Sequence, residues 1–208
     1  MKIVVLCTGR NGSVTFSKAC NHIENYSVGH ESYTQELGED RFDFPENHIE
    51  IDNRLSWHVG EIDKHFGNDV MYVYLKRNKQ KVRDSFKKRL KNRSSIISAY
   101  AESIKMVPPE DLKPDERTQI AEDYIETIES NVDLLWKDKD NTMVIRLEDI
   151  TSDFKKFWNK IQAEGDLDRA LVEFNKTYNK SKSNPLQNIV YNVKKGVKRL
   201  KFITLDKP

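Results

Sequence analysis

Two glycines, one guanidinium and three hydroxyls occupy a single nine-residue stretch, Thr8-Gly9-Arg10-Asn11-Gly12-Ser13-Val14-Thr15-Phe16. It follows Ile3-Val4-Val5-Leu6-Cys7, an unbroken apolar run rich in β-branched residues, and precedes Phe16, Ala19, Cys20 and Ile23 at helical spacing. The pattern predicts a buried strand, a tight loop and a helix. Such a turn aims backbone N–H groups and the positive end of a helix at one point, where Arg10, Ser13 and Thr15 add a cation and two hydroxyls. An oxyanion site is the expected result. A second arrangement of the same kind follows Met71-Tyr72-Val73-Tyr74-Leu75, another short apolar and aromatic run, closed by Arg77. Val82, Phe86 and Leu90 then recur every fourth residue, and Ser85 falls beside that stripe, eight positions after Arg77. Arg77 and Ser85 are thereby expected to converge on one phosphate, so two separate anion sites imply a ligand with two phosphates.

What the first loop lacks narrows the ligand. A nucleoside-triphosphatase P-loop places Lys and then Ser or Thr directly after its last glycine. Here Ser13 and Val14 follow Gly12. The Lys for β- and γ-phosphates and the hydroxyl spaced for Mg²⁺ are both missing, which disfavours a metal-dependent ATP or GTP reaction.

With both motifs in place, the chain resembles the sulfotransferases that use 3′-phosphoadenosine 5′-phosphosulfate (PAPS), most of all the bacterial and carbohydrate types. In that family a strand, a cation, a glycine and a hydroxyl-rich helix start hold the 5′-phosphosulfate, and Arg10, Asn11, Gly12, Ser13, Thr15 and Phe16 match them. An Arg closing a later strand with a Ser eight residues on holds the 3′-phosphate, as Arg77 and Ser85 do in type and spacing. Val144-Ile145-Arg146-Leu147-Glu148-Asp149-Ile150 is a looser similarity, to a strand and acidic pair that follow the family's middle helices. The resemblance spans about residues 1–160. It implies a P-loop NTPase-like α/β sulfotransferase fold, transfer of a sulfuryl group to an acceptor hydroxyl with in-line attack, PAPS as co-substrate and no metal.

The resemblance also frames catalysis. Arg10 stands where many members carry a Lys at the leaving oxygen; a guanidinium acts there by charge and hydrogen bonding rather than by giving up a proton. For the base, Glu31 in Gly29-His30-Glu31-Ser32-Tyr33 matches a Glu that serves some bacterial and carbohydrate members. His58 is the alternative, because imidazole suits proton transfer near neutrality and cytosolic members use a His after a later strand. His58, however, falls in residues 54–66, which read as helix. Acceptor recognition is expected from residues 31–47 with Asp52, Asn53, Arg54 and Trp57, the last able to stack on a sugar face. The acceptor is a hydroxyl compound, a carbohydrate among the candidates.

Positioning these groups requires a sheet. Apolar runs at Ile3, at Tyr26-Ser27-Val28, at Ile49-Glu50-Ile51, at Met71 and at residues 143–147 alternate with helical patterns, which predicts a central parallel β-sheet flanked by helices. Residues 115–137 read as one long helix with Ile125, Ile128, Val132 and Leu135 on its apolar face. Phe154, Phe157, Trp158 and Ile161 continue the helical pattern, as do Leu167, Ala170, Leu171, Phe174 and Tyr178; these stripes read as core. With 208 residues, 37% of them hydrophobic, the chain reads as one domain. No apolar stretch approaches the ~20 residues of a membrane span and no secretory signal is visible, so a cytoplasmic location is expected. Cys7 and Cys20 stand alone on apolar faces, without metal-ligand spacing.

Net charge is +2, yet residues 180–208 hold eight Lys or Arg against Asp206 alone. Val190, Val193, Val197 and Leu200 sit at helical spacing among those cations, so this tail reads as a basic amphipathic helix. It is either a solvated surface helix or a flap whose Lys194-Lys195-Gly196 assists the 3′-phosphate. Without base-reading aromatics it makes a poor nucleic-acid signal. Two other classes stay open: an ATP- and Mg²⁺-dependent small-molecule kinase with an atypical loop, and a non-catalytic module binding nucleotide or polyanion.

Overall fold

The computed structural model describes residues 1–92, 95–176 and 178. Five strands, β1 (Lys2–Leu6), β2 (Ser27–His30), β3 (His48–Ile51), β4 (Val70–Lys76) and β5 (Thr142–Arg146), form one sheet in the order β2-β3-β1-β4-β5. Every pairing is parallel. Seven α-helices are described: α1 (Ser13–Cys20), α2 (Val59–Phe66), α3 (Lys79–Lys87), α4 (Ile96–Ala99), α5 (Pro114–Trp136), α6 (Ile150–Lys160) and α7 (Leu167–Glu173). The basic tail from residue 180 onward lies outside the described residues.

Alternation within the central strands builds two cores. Val4, Leu6, Tyr72 and Tyr74 face one way, against Ile62 and Phe66 of α2, Val82 and Phe86 of α3, and Tyr124, Ile128 and Val132 of α5. Ile3, Val5, Met71, Val73 and Leu75 face the other way, against Phe16 and Ala19 of α1, Phe154 and Phe157 of α6, and Ala170 of α7. A strand buried on both faces must be apolar throughout, which is why β1 and β4 show no polar alternation. The aromatic stripe of α6 is core, with Phe16 packed at 5.6 Å from both Phe154 and Phe157. α5 starts at Pro114, and the Glu116 carboxylate reaches back to the Lys113 N–H at 2.7 Å, so an otherwise orphaned donor is met.

Several boundaries depart from sequence periodicity. The helix expected over residues 54–66 is broken: a 3₁₀ turn at Leu55–Trp57 precedes α2, and His58 between them leaves helical geometry at φ −105° and ψ 27°. α3 stops at Lys87 although Leu90, the last of its stripe, stays buried in the same core. α7 stops at Glu173 instead of running to residue 178. No described helix is long and apolar enough to cross a membrane.

Parallel strands place every carboxyl end on one edge of the sheet. From β1 the chain goes to β2 and β3 on one side, then crosses to β4 and β5 on the other. The crevice outside the carboxyl end of β1 is therefore the topological switch point, where open α/β sheets take ligands.

Candidate active site

The loop leaving β1 turns sharply through left-handed backbone. Gly9, Arg10 and Gly12 all adopt positive φ, at 80°, 64° and 85°. Gly12 is the left-handed N-cap of α1, and its carbonyl accepts from the Phe16 N–H at 2.9 Å. A Cβ at Gly12 would lie 3.0 Å from Leu147 Cδ1, a tight contact at a φ that already favours glycine. Asn11, buried at 1% exposure, donates from Nδ2 to the Leu75 carbonyl at 2.9 Å and accepts from Thr8 Oγ1 at 2.6 Å. Tyr124 of α5 donates to the Thr8 carbonyl at 2.9 Å. The loop is thus tied to β4 and α5 without help from a ligand.

Those bonds sort the residues expected at the loop. Asn11 spends its side chain on the scaffold. Phe16 is fully buried and its N–H is taken by Gly12, so it packs the loop into place and offers a ligand nothing directly. Ser13 and Thr15 stay half-buried at the first turn of α1.

The two anion motifs meet. Arg10 Nε donates to Ser85 Oγ at 3.0 Å, and Arg77 Nη1 donates to the Arg10 carbonyl at 3.1 Å. The sites expected to be separate are joined through the Arg10 residue, whose guanidinium reaches across to α3. Burial lowers the Arg10 pKa from its ordinary value, and the guanidiniums of Arg89 and Arg77 lower it further. The ion stays charged, as arginine does in proteins. Arg89 keeps Nε buried without a hydrogen-bond partner. None of Arg10, Arg77 and Arg89 pairs with a carboxylate among the described residues. Three half-buried cations facing one another without a counter-ion repel, and an oxyanion between them removes that repulsion.

On the β2–β3 side of the same edge the carboxylates Glu31, Glu50 and Asp52 are engaged, although Arg41 Nη1, like Arg89 Nε, is buried without a hydrogen-bond partner. Glu31 Oε2 lies 2.9 Å from Arg54 Nη1. Asp52, fully buried, accepts from Arg41, from the Arg54 N–H at 2.8 Å and from Thr34 Oγ1 at 3.3 Å. Glu50, also fully buried, accepts from the Ser32 N–H at 2.9 Å and from its hydroxyl, with His48 Nε2 at 3.1 Å. Burial alone would raise the Glu50 pKa; the hydrogen bonds from His48 and Ser32 outweigh it and hold the carboxyl below its ordinary value. Gly29 makes room for this carboxylate, since a Cβ there would come within 2.0 Å of Glu50 Oε2.

This web fixes Glu31 in the left-handed region at φ 56°, which is costly for a residue with a Cβ. Its N–H donates to the Ile51 carbonyl at 3.0 Å, its carbonyl accepts from Thr34 Oγ1 at 2.7 Å, and the next residue is clamped by Glu50. His58 is placed otherwise: Nδ1 sits 2.5 Å from Glu61 Oε2, and its ring packs edge-on against Phe42. Trp57 stacks obliquely between Tyr100 and Tyr124, with ring centroids 5.7 and 5.8 Å away, so its ring is part of an aromatic cluster under the loop.

Sequence reasoning missed three participants. Arg89 follows α3 with no motif to mark it. Glu50 was readable only as a polar interruption in an apolar strand, a signal that buried carboxylates share with edge strands; Asp52, expected among the acceptor-side residues, is instead spent on Arg41, Thr34 and the Arg54 N–H. His30, given no role beside Glu31 in the sequence, lies with Nε2 3.2 Å from Ser13 Oγ at the start of α1. Comparison of the chain with protein-family models and with curated proteins returned no match.

Proposed function

We propose that this chain is a P-loop-type sulfotransferase that moves a sulfuryl group from 3′-phosphoadenosine 5′-phosphosulfate to an acceptor hydroxyl. The observation that carries the reading is the convergence of Arg10, Arg77 and Ser85 across 75 residues of sequence at the switch point, with no carboxylate paired to either guanidinium among the described residues. In this reading the β1–α1 loop, with Ser13, Thr15 and the N-terminus of α1, holds the 5′-phosphosulfate, and Arg77 with Ser85 holds the 3′-phosphate. Arg10 leaves Ser85 and turns to the leaving oxygen as the 3′-phosphate takes its place.

The acceptor enters from the β2–β3 side, bordered by Arg54 and Trp57. Glu31 takes the acceptor proton as the new O–S bond forms. The bridging S–O bond breaks with its electron pair going to the phosphate oxygen, where Arg10 stabilises the charge. Glu31 is favoured over His58 because its strained backbone is held in place from both sides; each side chain has a partner of opposite charge, Arg54 for Glu31 and Glu61 for His58. The reading needs no metal.

The test is thermal unfolding with adenosine 3′,5′-bisphosphate and with ATP, each in EDTA and in Mg²⁺. At about a hundred times its Kd, a ligand that binds only the folded chain adds roughly 2.7 kcal/mol, which for this size raises the midpoint by about 5–11 °C. A rise with the bisphosphate in EDTA is expected. A Mg²⁺-dependent response to ATP with none to the bisphosphate would replace this reading with the kinase.

A further inference from the structure

His30 closes β2, and register decides which way it points. It pairs with Ile51, whose side chain lies in the core beneath α1, whereas Gly29 pairs with Glu50 on the opposite face. His30 is therefore on the α1 side of the sheet, at the carboxyl edge, and Nε2 meets the hydroxyl of Ser13, the first residue of α1, at 3.2 Å.

A serine hydroxyl has one proton to give. In the free loop it can be donated to Nε2 of a neutral ring. When Ser13 turns that proton toward an oxyanion, Oγ can only accept, and Nε2 must carry a proton, which a neutral ring supplies by placing its one proton on Nε2 and a charged ring by holding one on each nitrogen; the negative charge docked beside Ser13 favours the charged ring. We propose that His30 is a proton-linked anion-binding residue of the β1–α1 loop, taking up a proton from solvent as a phosphate or sulfate group docks against Ser13. The identity of the natural ligand rests on the sulfotransferase reading; the linkage itself requires only an oxyanion at α1.

The surrounding charges leave His30 free to play this part. From β3, Glu50 and Asp52 occupy the other face, held by His48 with Ser32 and by Arg41 with Thr34. Along the chain, Glu31 is paired with Arg54. From α1, the only cation is the exposed Lys18 near its far end. In the ligand-free chain Arg10 reaches away to Ser85; its turn to the leaving oxygen would add a cation that works against protonation of His30. No described carboxylate pairs with His30, so an incoming anion is the negative charge that a protonated ring would answer.

The sign follows from the direction of proton movement. Uptake on binding makes the complex tighter at low pH and weaker as pH rises through the histidine range. Calorimetric titration of adenosine 3′,5′-bisphosphate and, separately, of inorganic pyrophosphate at pH 6.5 and 8.5 tests this, in buffers of different ionisation enthalpy, for the wild type and His30→Gln. The glutamine amide can still donate to Ser13 but cannot change charge, and each ligand's own titration is common to both proteins. Wild-type affinity is expected to fall about tenfold more than that of His30→Gln over this range, with proton uptake that the variant lacks. If His30→Gln does not fold, the His30 ring resonances of the wild type, followed by NMR with and without pyrophosphate, give the same answer. Equal pH dependence in the two proteins, or ring resonances indifferent to the ligand, overturns the inference while leaving bisphosphate binding to speak for the sulfotransferase. Linked binding of pyrophosphate without binding of the bisphosphate does the reverse. If neither ligand binds, both readings fall.

Discussion

The two sides of the sheet's carboxyl edge treat charge in opposite ways. Around β1 and β4, Arg10 and Arg77 have hydroxyl and carbonyl partners, Arg89 keeps Nε unpartnered, and none of the three pairs with a described carboxylate. Around β2 and β3, Glu31, Glu50 and Asp52 are each matched to a cation, a hydroxyl or a backbone N–H. Charges already paired are structural, because removing one partner strands the other. Charges left facing one another are waiting for something, because the fold gains nothing from their repulsion. On the reading proposed above, one side is a scaffold that positions a carboxylate, and the other is a site that a ligand completes.

The sharpest way to break this contrast is Asp52→Ala. Arg41 and Asp52 are both buried, so the variant leaves a guanidinium without its counter-charge. Breaking a buried pair from one side costs about 3–5 kcal/mol, which for a chain of this size lowers the unfolding midpoint by roughly 6–20 °C. A loss under about 2 °C would mean that the β2–β3 side is not held by this pair. Arg77→Ala is the counterpart across the edge. It removes a charge-assisted contact worth roughly 1.5–3 kcal/mol, so bisphosphate affinity falls about 10- to 150-fold. The ligand-free midpoint should stay within about 2 °C, because a hydrogen bond and a repulsion are lost together. A large drop in ligand-free stability would place Arg77 with the scaffold instead.

Glu50→Gln separates charge from shape on the paired side. Near neutral pH the variant should lose about 1–3 kcal/mol, since His48 and Ser32 both address the carboxylate. The folded Glu50 carboxyl sits below its ordinary value of 4.5, so its contribution is fully present above that pH and disappears as pH falls through the folded value. Chemical denaturation at pH 7 and at pH 3 checks this: the gap between wild type and variant should shrink at the lower pH. A gap independent of pH would mean that Gln disturbs packing and that charge matters little.

Legibility followed the range over which each residue is determined. β1 and β4 could be read because burial on both faces demands an unbroken apolar run, and α5 because its apolar positions repeat over about four turns, from Ile120 to Leu135. The β1–α1 loop was visible because glycine is favoured at two of its three left-handed positions, Gly9 and Gly12, the third being held by Arg10. Arg10 and Ser85 could be named as site residues, but their contact joins parts of the chain 75 residues apart and no spacing rule contains it. Residues 31–47 gave no period at all, since that excursion is organised by Glu50 and Asp52 from a neighbouring strand. His30 was lost for a related reason: its partner follows from the register of β2 on β3 and the seat of α1, neither of which is written locally. α4 and the π-helical turn Tyr100–Ile104 were too short to show a repeat.

The smallest effect bears on why the paired side is built as it is. Glu31 is held left-handed at φ 56° although an unpaired loop could have placed glycine there at no conformational cost. Glu31→Gly relieves that strain and gives up a half-exposed pair with Arg54, contributions of about 1 kcal/mol or less and of opposite sign. The expected net change is between zero and about +1 kcal/mol, a midpoint unchanged or raised by up to roughly 4 °C. If sulfuryl transfer passes its proton through Glu31, the same variant loses turnover by about 10²–10⁴-fold while bisphosphate binding is retained. A residue that is neutral or unfavourable for stability and yet necessary for turnover is held there for chemistry, and the Glu50 and Ser32 contacts that hold it are then support for that carboxylate. A variant destabilised by more than about 1 kcal/mol would instead make Glu31 part of the scaffold it sits on, and the proton would need another acceptor.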